Sequence, residues 1–89
     1  MAGRAGFVMV LTTVDSETGA GALAGQIVAA RLAACVQSTP IHSTYWWKGK
    51  METAQEHLLL CKTRASLAPL LEAFIRKNHS YEVPEIVIT

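Results

Sequence analysis

Ile41-His42-Ser43-Thr44-Tyr45-Trp46-Trp47-Lys48-Gly49-Lys50-Met51-Glu52-Thr53-Ala54-Gln55-Glu56-His57-Leu58-Leu59-Leu60-Cys61-Lys62-Thr63 decides the fold, because it reads as two long strands joined back to back. β-Branched and aromatic residues crowd the first arm, Lys48-Gly49-Lys50 supplies a turn, and Met51 to Thr63 returns, polar at first and apolar from Leu58. Upstream, Ala33 to Thr39 is already extended in character and Pro40 interrupts it, so the first arm is long and bent. With the turn near Gly49, cross-strand partners sum to about 99, which sets Cys35 and Cys61 roughly 10 Å out of register and disfavours a disulfide. The distal half, about His42 to His57, covers roughly 20 Å of ladder. It is too polar and too far out for the chain's own helices to cover, so it projects toward another subunit.

Working outward, Phe7-Val8-Met9-Val10-Leu11 is a continuous apolar run suited to a strand at a sheet centre. Asp15 and Ser16 offer N-cap chemistry, and Ala20, Leu23, Ala24, Ile27, Val28 and Leu32 follow at helical spacing, predicting a first helix over about 16–33. Gly19, Gly21 and Gly25 weaken it by about 1 kcal/mol each relative to Ala and would allow close approach to the sheet. Thr63 is the expected cap of a second helix with the stripe Leu67, Leu70, Leu71, Phe74 and Ile75, closed by Arg76, Lys77 and Asn78. A final strand, Glu85 to Thr89, follows Pro84. Strand, helix, strand, strand, helix, strand is the order of an α+β, ferredoxin-like βαββαβ antiparallel sandwich with both helices on one face, here with a long β2–β3 hairpin. Leu58 to Cys61 is apolar at odd and even positions alike, so the face without helices also wants burial, and an oligomer would provide it.

Composition narrows the function. The 89 residues are 51% hydrophobic and 17% charged, one domain's worth, with a net charge of +1 and no basic run or stripe. That excludes the footprint of a nucleic-acid or anionic-membrane binder. The apolar run after Gly6 is too short for a signal or a membrane span, and two widely spaced cysteines make neither a disulfide framework nor a zinc motif, so the expectation is a cytoplasmic chain with free thiols.

Donor atoms gather near the C-terminal end. His79, Glu82 and Glu85 recur at three-residue intervals, and imidazole with carboxylate suits copper(II) or zinc; Cys35 would add a soft donor. Structural duties compete with that reading. His79 can cap the second helix, Tyr81 can anchor the loop by a hydrogen bond, one Glu can pair with a Lys, and Cys35 can be a small buried hydrophobe. Tyr45, Trp46 and Trp47 suit a subunit interface or a cleft, and Lys62 suits a carboxylate of the final loop.

Arg31-Leu32-Ala33-Ala34-Cys35-Val36, Ser43-Thr44-Tyr45-Trp46-Trp47-Lys48-Gly49-Lys50, Leu58-Leu59-Leu60-Cys61-Lys62-Thr63 and His79-Ser80-Tyr81-Glu82-Val83-Pro84-Glu85-Ile86 together resemble the CutA divalent-cation tolerance proteins. The resemblance implies a non-enzymatic, ferredoxin-like homotrimer packed through its hairpins, linked to tolerance of copper and other divalent ions, with an architecture similar to the PII signalling proteins. Ser80 stands where that family usually has proline, and the family's usual C-terminal strand and helix are not among these 89 residues. A PII-like module holding a small metabolite or anion between subunits is the alternative reading. An acylphosphatase-like hydrolase would need glycines and a cation after the first strand, which Thr12-Thr13-Val14-Asp15-Ser16 lacks. A pure trimeric scaffold docking an unknown partner is also compatible with these residues.

Overall fold

A computed structural model describes residues 6–89. The elements are β1 (Phe7–Val14), α1 (Glu17–Ala29), β2 (Cys35–Trp47), β3 (Lys50–Arg64), α2 (Ala68–Asn78) and β4 (Ile86–Ile88), with a 3-10 turn at Ala65–Leu67. The sheet order is β2-β3-β1-β4 and every neighbouring pair is antiparallel. This is the βαββαβ sandwich that the alternation of elements predicts. β1 is central because its apolar run can be covered on both sides and along both edges.

The register separates the two faces of the sheet. Val10 lies opposite Cys61 and Thr12 opposite Leu59, and all four are sealed beneath the helices. Ile27 and Leu23 of α1, with Leu71 and Ile75 of α2, complete this core. One residue along each strand, Leu11, Leu58 and Leu60 are only half-buried and Met9 is 38% exposed. Side chains alternate across a strand, so these define an open, helix-free face that is still apolar.

Local chemistry moves several boundaries. Lys48 and Gly49 both have positive φ, 52° and 79°, and make a two-residue turn in which Trp47 pairs directly with Lys50. The hairpin is therefore two positions tighter than the expected sum of about 99: Cys35 lies opposite Lys62, and Cys61 opposite Val36. The cysteines stay apart for a different reason from the expected one. They are one position apart in register on opposite faces, Cys61 buried and Cys35 exposed, and both are free.

Helix α1 begins at the expected cap, with the Ser16 hydroxyl accepting from the Gly19 amide at 2.9 Å, but stops at Ala29 rather than near 33. Arg31 takes φ 61°, and the amides of Arg31 and Leu32 donate back to Val28 and Ile27, a Schellman end with arginine where glycine is usual. Gly21 and Gly25 do not serve close packing on the sheet: a Cβ at either would meet open space. Thr63 does not cap α2. It belongs to β3 and its hydroxyl donates to the Leu32 carbonyl at 2.7 Å, while α2 starts after the 3-10 turn, with Pro69 in its first turn.

Pro40 is accommodated because, among the described residues, β2 bonds only to β3, leaving its other edge without a ladder to interrupt. The 15 residues of β3 span about 45 Å, which accounts for the long dimension of a 44 × 27 × 21 Å body. At the far end of the hairpin Tyr45, Trp46, Trp47 and Met51 are exposed, as expected of an arm beyond the reach of the helices.

Candidate functional site: an acidic cleft on the open face

The loop from α2 to β4 crosses the rim of the open face and is tied down by His79. As the C-cap of α2, His79 adopts extended backbone geometry, and its ring reaches back to β1. Its Nε2 lies 2.7 Å from the Thr13 carbonyl oxygen, and its Nδ1 accepts the Tyr81 amide at 3.0 Å. A carbonyl can only accept, so Nε2 carries the proton and Nδ1 is the acceptor. Both ring nitrogens are thus engaged in holding the loop.

The same bond turns Tyr81 over the sheet. Its ring lies 4.8 Å from that of His79, and its hydroxyl donates to Glu56 Oε2 at 2.6 Å, a length typical of a charge-assisted bond. Glu56 comes from β3, opposite Ile41 and on the open face. Burial works to raise the Glu56 carboxyl, but hydroxyl groups, those of Ser43, Tyr81 and Thr13, hold it below the usual carboxylate range. Burial pushes the Tyr81 phenol up, and its bond to the Glu56 carboxylate pushes it further. At neutral pH the pair is a phenol donating to a carboxylate.

Around this pair opens a cleft of about 740 Å³, walled by Tyr45 and Trp47 of the hairpin and by Val83 of the loop. Four carboxylates line it, Asp15, Glu52, Glu56 and Glu85, and no Lys, Arg or His does. Charge of one sign in a walled recess concentrates counter-ions, so the cleft favours a cation.

The predicted site residues separate. Tyr45, Trp47, Tyr81 and Glu85 share the cleft, and His79 supports it from behind. Glu82 is exposed on the loop outside the lining, and neither it nor Glu85 pairs with a lysine; Glu72 with Arg76 is the one ion pair among the described residues. Cys35 is exposed rather than a buried hydrophobe, and stands six residues along β2 from Ile41, the partner of Glu56, about 20 Å away at strand rise. Lys62 is exposed too, opposite Cys35 and Met9 and in a different cleft, so it does not meet a carboxylate of the final loop. Among the described residues, no three His, Cys, Asp or Glu side chains converge to hold a metal ion. His79, Cys35, Glu82 and Glu85 therefore do not form a metal centre within one chain, and the cleft's four carboxylates surround a space rather than a point.

Glu52, Glu56 and Asp15 escaped the sequence reading as site residues. The usable signal for Glu56 lay in the alternation of β3, where Glu52, Ala54 and Glu56 continue the face that Leu58 and Leu60 occupy. A carboxylate on the extension of an apolar stripe asks for a partner.

Comparison with known proteins agrees with this architecture. A family model described as CutA1 divalent ion tolerance protein matches residues 8–89. The chain belongs to the CutA family. It is 44% identical over 81 residues to the chloroplastic protein CutA 1 of Oryza sativa, covering 90% of this chain and 46% of the relative. Against the divalent-cation tolerance protein CutA of Thermus thermophilus it is 45% identical over 80 residues, covering 89% and 78%. The chain spans less than half the length of the plant and mammalian relatives it matches. Among solved structures, CutA from Synechococcus elongatus superposes with a TM-score of 0.94 at 36% identity, covering 96% of this chain and 76% of that one. CutA1 from Oryza sativa gives 0.90 at 43% identity, covering 93% and 77%. The CutA from Archaeoglobus fulgidus, called periplasmic, gives 0.89 at 32% identity, covering 93% and 81%.

Proposed function

We propose that this CutA-family chain is a non-catalytic, self-assembling module of divalent-cation tolerance, and that the acidic cleft over Glu56 is where the cation gathers. The carrying observation is the charge of that cleft: four carboxylates and no cationic side chain. The family name supports a divalent ion, and copper is the ion we assign. Because no three donors converge among the described residues, the ion is attracted as a hydrated species and gains direct ligands when a second chain closes the cleft. Glu85 stands ready for that, with Glu82 on the same loop; His79 serves as the positioning residue, and Cys35 contributes from the far end only across a subunit boundary.

The assembly we propose is a homotrimer in the cytoplasm. It is supported by the half-buried apolar open face, by the two outer strands β2 and β4, whose outer edges are unpaired among the described residues, and by the projecting aromatic arm. A cleft for a metabolic anion, as in a PII-like module, is disfavoured by the same four carboxylates.

Copper(II) titration by calorimetry, with oligomer mass read by sedimentation, tests this. Glu52→Gln with Glu85→Gln should weaken binding by about tenfold, or about 1.4 kcal/mol, at unchanged trimer mass. Unchanged affinity in that variant, with loss in Cys35→Ala, would move the ion out of the cleft. A monomeric mass would remove the assembly.

A further inference from the structure

A second cleft, of about 880 Å³, opens at the other end of the sheet, where the end of α1 meets the start of β1 and the end of β3. Its walls are aliphatic and aromatic and wrap the end of the sheet: Val8, Val28 and Leu67 from the helix side, and Phe7 and Met9, opposite Arg64 and Lys62, from the open face. Its charged groups are Arg31, Lys62 and Arg64, with no acidic residue in the lining. All three cations are exposed, and none pairs with a carboxylate among the described residues.

The frame of this cleft is fixed. The Schellman end of α1 presents Arg31, and the Thr63 hydroxyl fastens the next residue, Leu32, to β3 at 2.7 Å. The Ala34 amide closes onto the Lys62 carbonyl at 3.0 Å. The lining holds apolar wall and positive charge but little neutral hydrogen-bonding chemistry: Thr63 is the one neutral polar side chain, and its proton is already given to Leu32. Such a surface offers cationic donors and apolar wall but no carboxylate or amide acceptor, so it matches the mixed donors and acceptors of a sugar or a base poorly. It suits a molecule that is apolar along its length and anionic at one end.

We propose that this cleft binds an amphiphilic carboxylate, a medium-length acyl chain lying along Val8, Val28 and Leu67 with its carboxylate among Arg31, Lys62 and Arg64. The chain's own residues 1–5 are a poor alternative occupant, because their one ionisable side chain, Arg4, repeats the sign of the rim.

The test is a titration of the full chain with decanoate, decylamine, propionate and hexaglutamate, followed by amide chemical shifts at low and high salt. Decanoate should bind saturably, moving the amides of Phe7 to Met9, Val28, Arg31 and Leu67, and should weaken as salt rises. Decylamine, propionate and hexaglutamate should each bind at least about tenfold more weakly, a difference of about 1.4 kcal/mol. Arg31→Gly combined with Arg64→Gln should weaken decanoate by about tenfold or more, and glycine suits the left-handed backbone at position 31, so the variant keeps its fold and a thermal melt verifies that. Equal binding of decylamine would make the cleft a mere apolar sink, and equal binding of hexaglutamate or propionate a mere charged patch. Either result, wild-type affinity in the variant, shifts mapping elsewhere, or no decanoate binding would overturn the proposal.

Discussion

The two clefts lie toward opposite ends of one sheet and are built on opposite plans. The acidic one is a hydrogen-bonded object: His79 holds the loop to Thr13, and Tyr81 reaches Glu56 across the open face. The other is an apolar trough rimmed by Arg31, Lys62 and Arg64, none of which is paired with a carboxylate among the described residues. In the first, the polar side chains hold up the fold and the site together. In the second, the frame is backbone and Thr63, and the charges are left free for something else. The difference teaches that stability and function are entangled at one end and separable at the other.

His79→Ala should break the comparison hardest. It strips the Thr13 carbonyl and the Tyr81 amide of their partners at once, so unfolding stability should fall by about 2–4 kcal/mol, read by urea denaturation. Tyr81→Phe should cost less, about 1–2 kcal/mol, since it removes one hydrogen bond where His79→Ala removes two. A loss below about 0.5 kcal/mol in either variant would mean that the loop is not anchored through the pair.

Acid should sharpen the contrast further. Glu56 titrates below its usual 4.5 when folded, so the folded state holds that proton less tightly than the unfolded chain does. The stabilisation is complete above about pH 4.5 and fades as pH drops through the lower folded value. Glu56→Gln should flatten the dependence of stability on pH in that window, measured by melting temperature from pH 6 to pH 3. At the opposite end, Arg64→Glu should change stability by less than about 0.5 kcal/mol, because it breaks no pair. A large loss there would show that the rim cations have structural work.

The fold was legible because its signals are local and mutually consistent: an apolar run for β1, a capped helical stripe, and a hairpin with a turn at Gly49. Where a boundary moved, a single backbone feature moved it. Positive φ at both Lys48 and Gly49 tightened the hairpin by two positions, and left-handed Arg31 ended α1 early. The candidate site was half legible. His79 and Tyr81 declared themselves by crowding polar groups near Pro84, but Glu56 lies 25 residues before Tyr81, and only the register of β3 brings them together. Cys35 is a companion to His79 in donor chemistry alone, because the strand pairing sets the start of β2 beside Lys62 and Met9, away from the Thr13 end of β1 that His79 holds.

The most direct test of the central claim, that cations gather at the acidic end, is paramagnetic broadening by substoichiometric copper(II) in the amide spectrum of the full chain. The account predicts broadening centred on Ala54 to Glu56 and on Tyr81 to Glu85, with Met9, Cys35 and Lys62 left sharp. Broadening centred on Cys35 and Lys62, or spread evenly over the sheet, would contradict it.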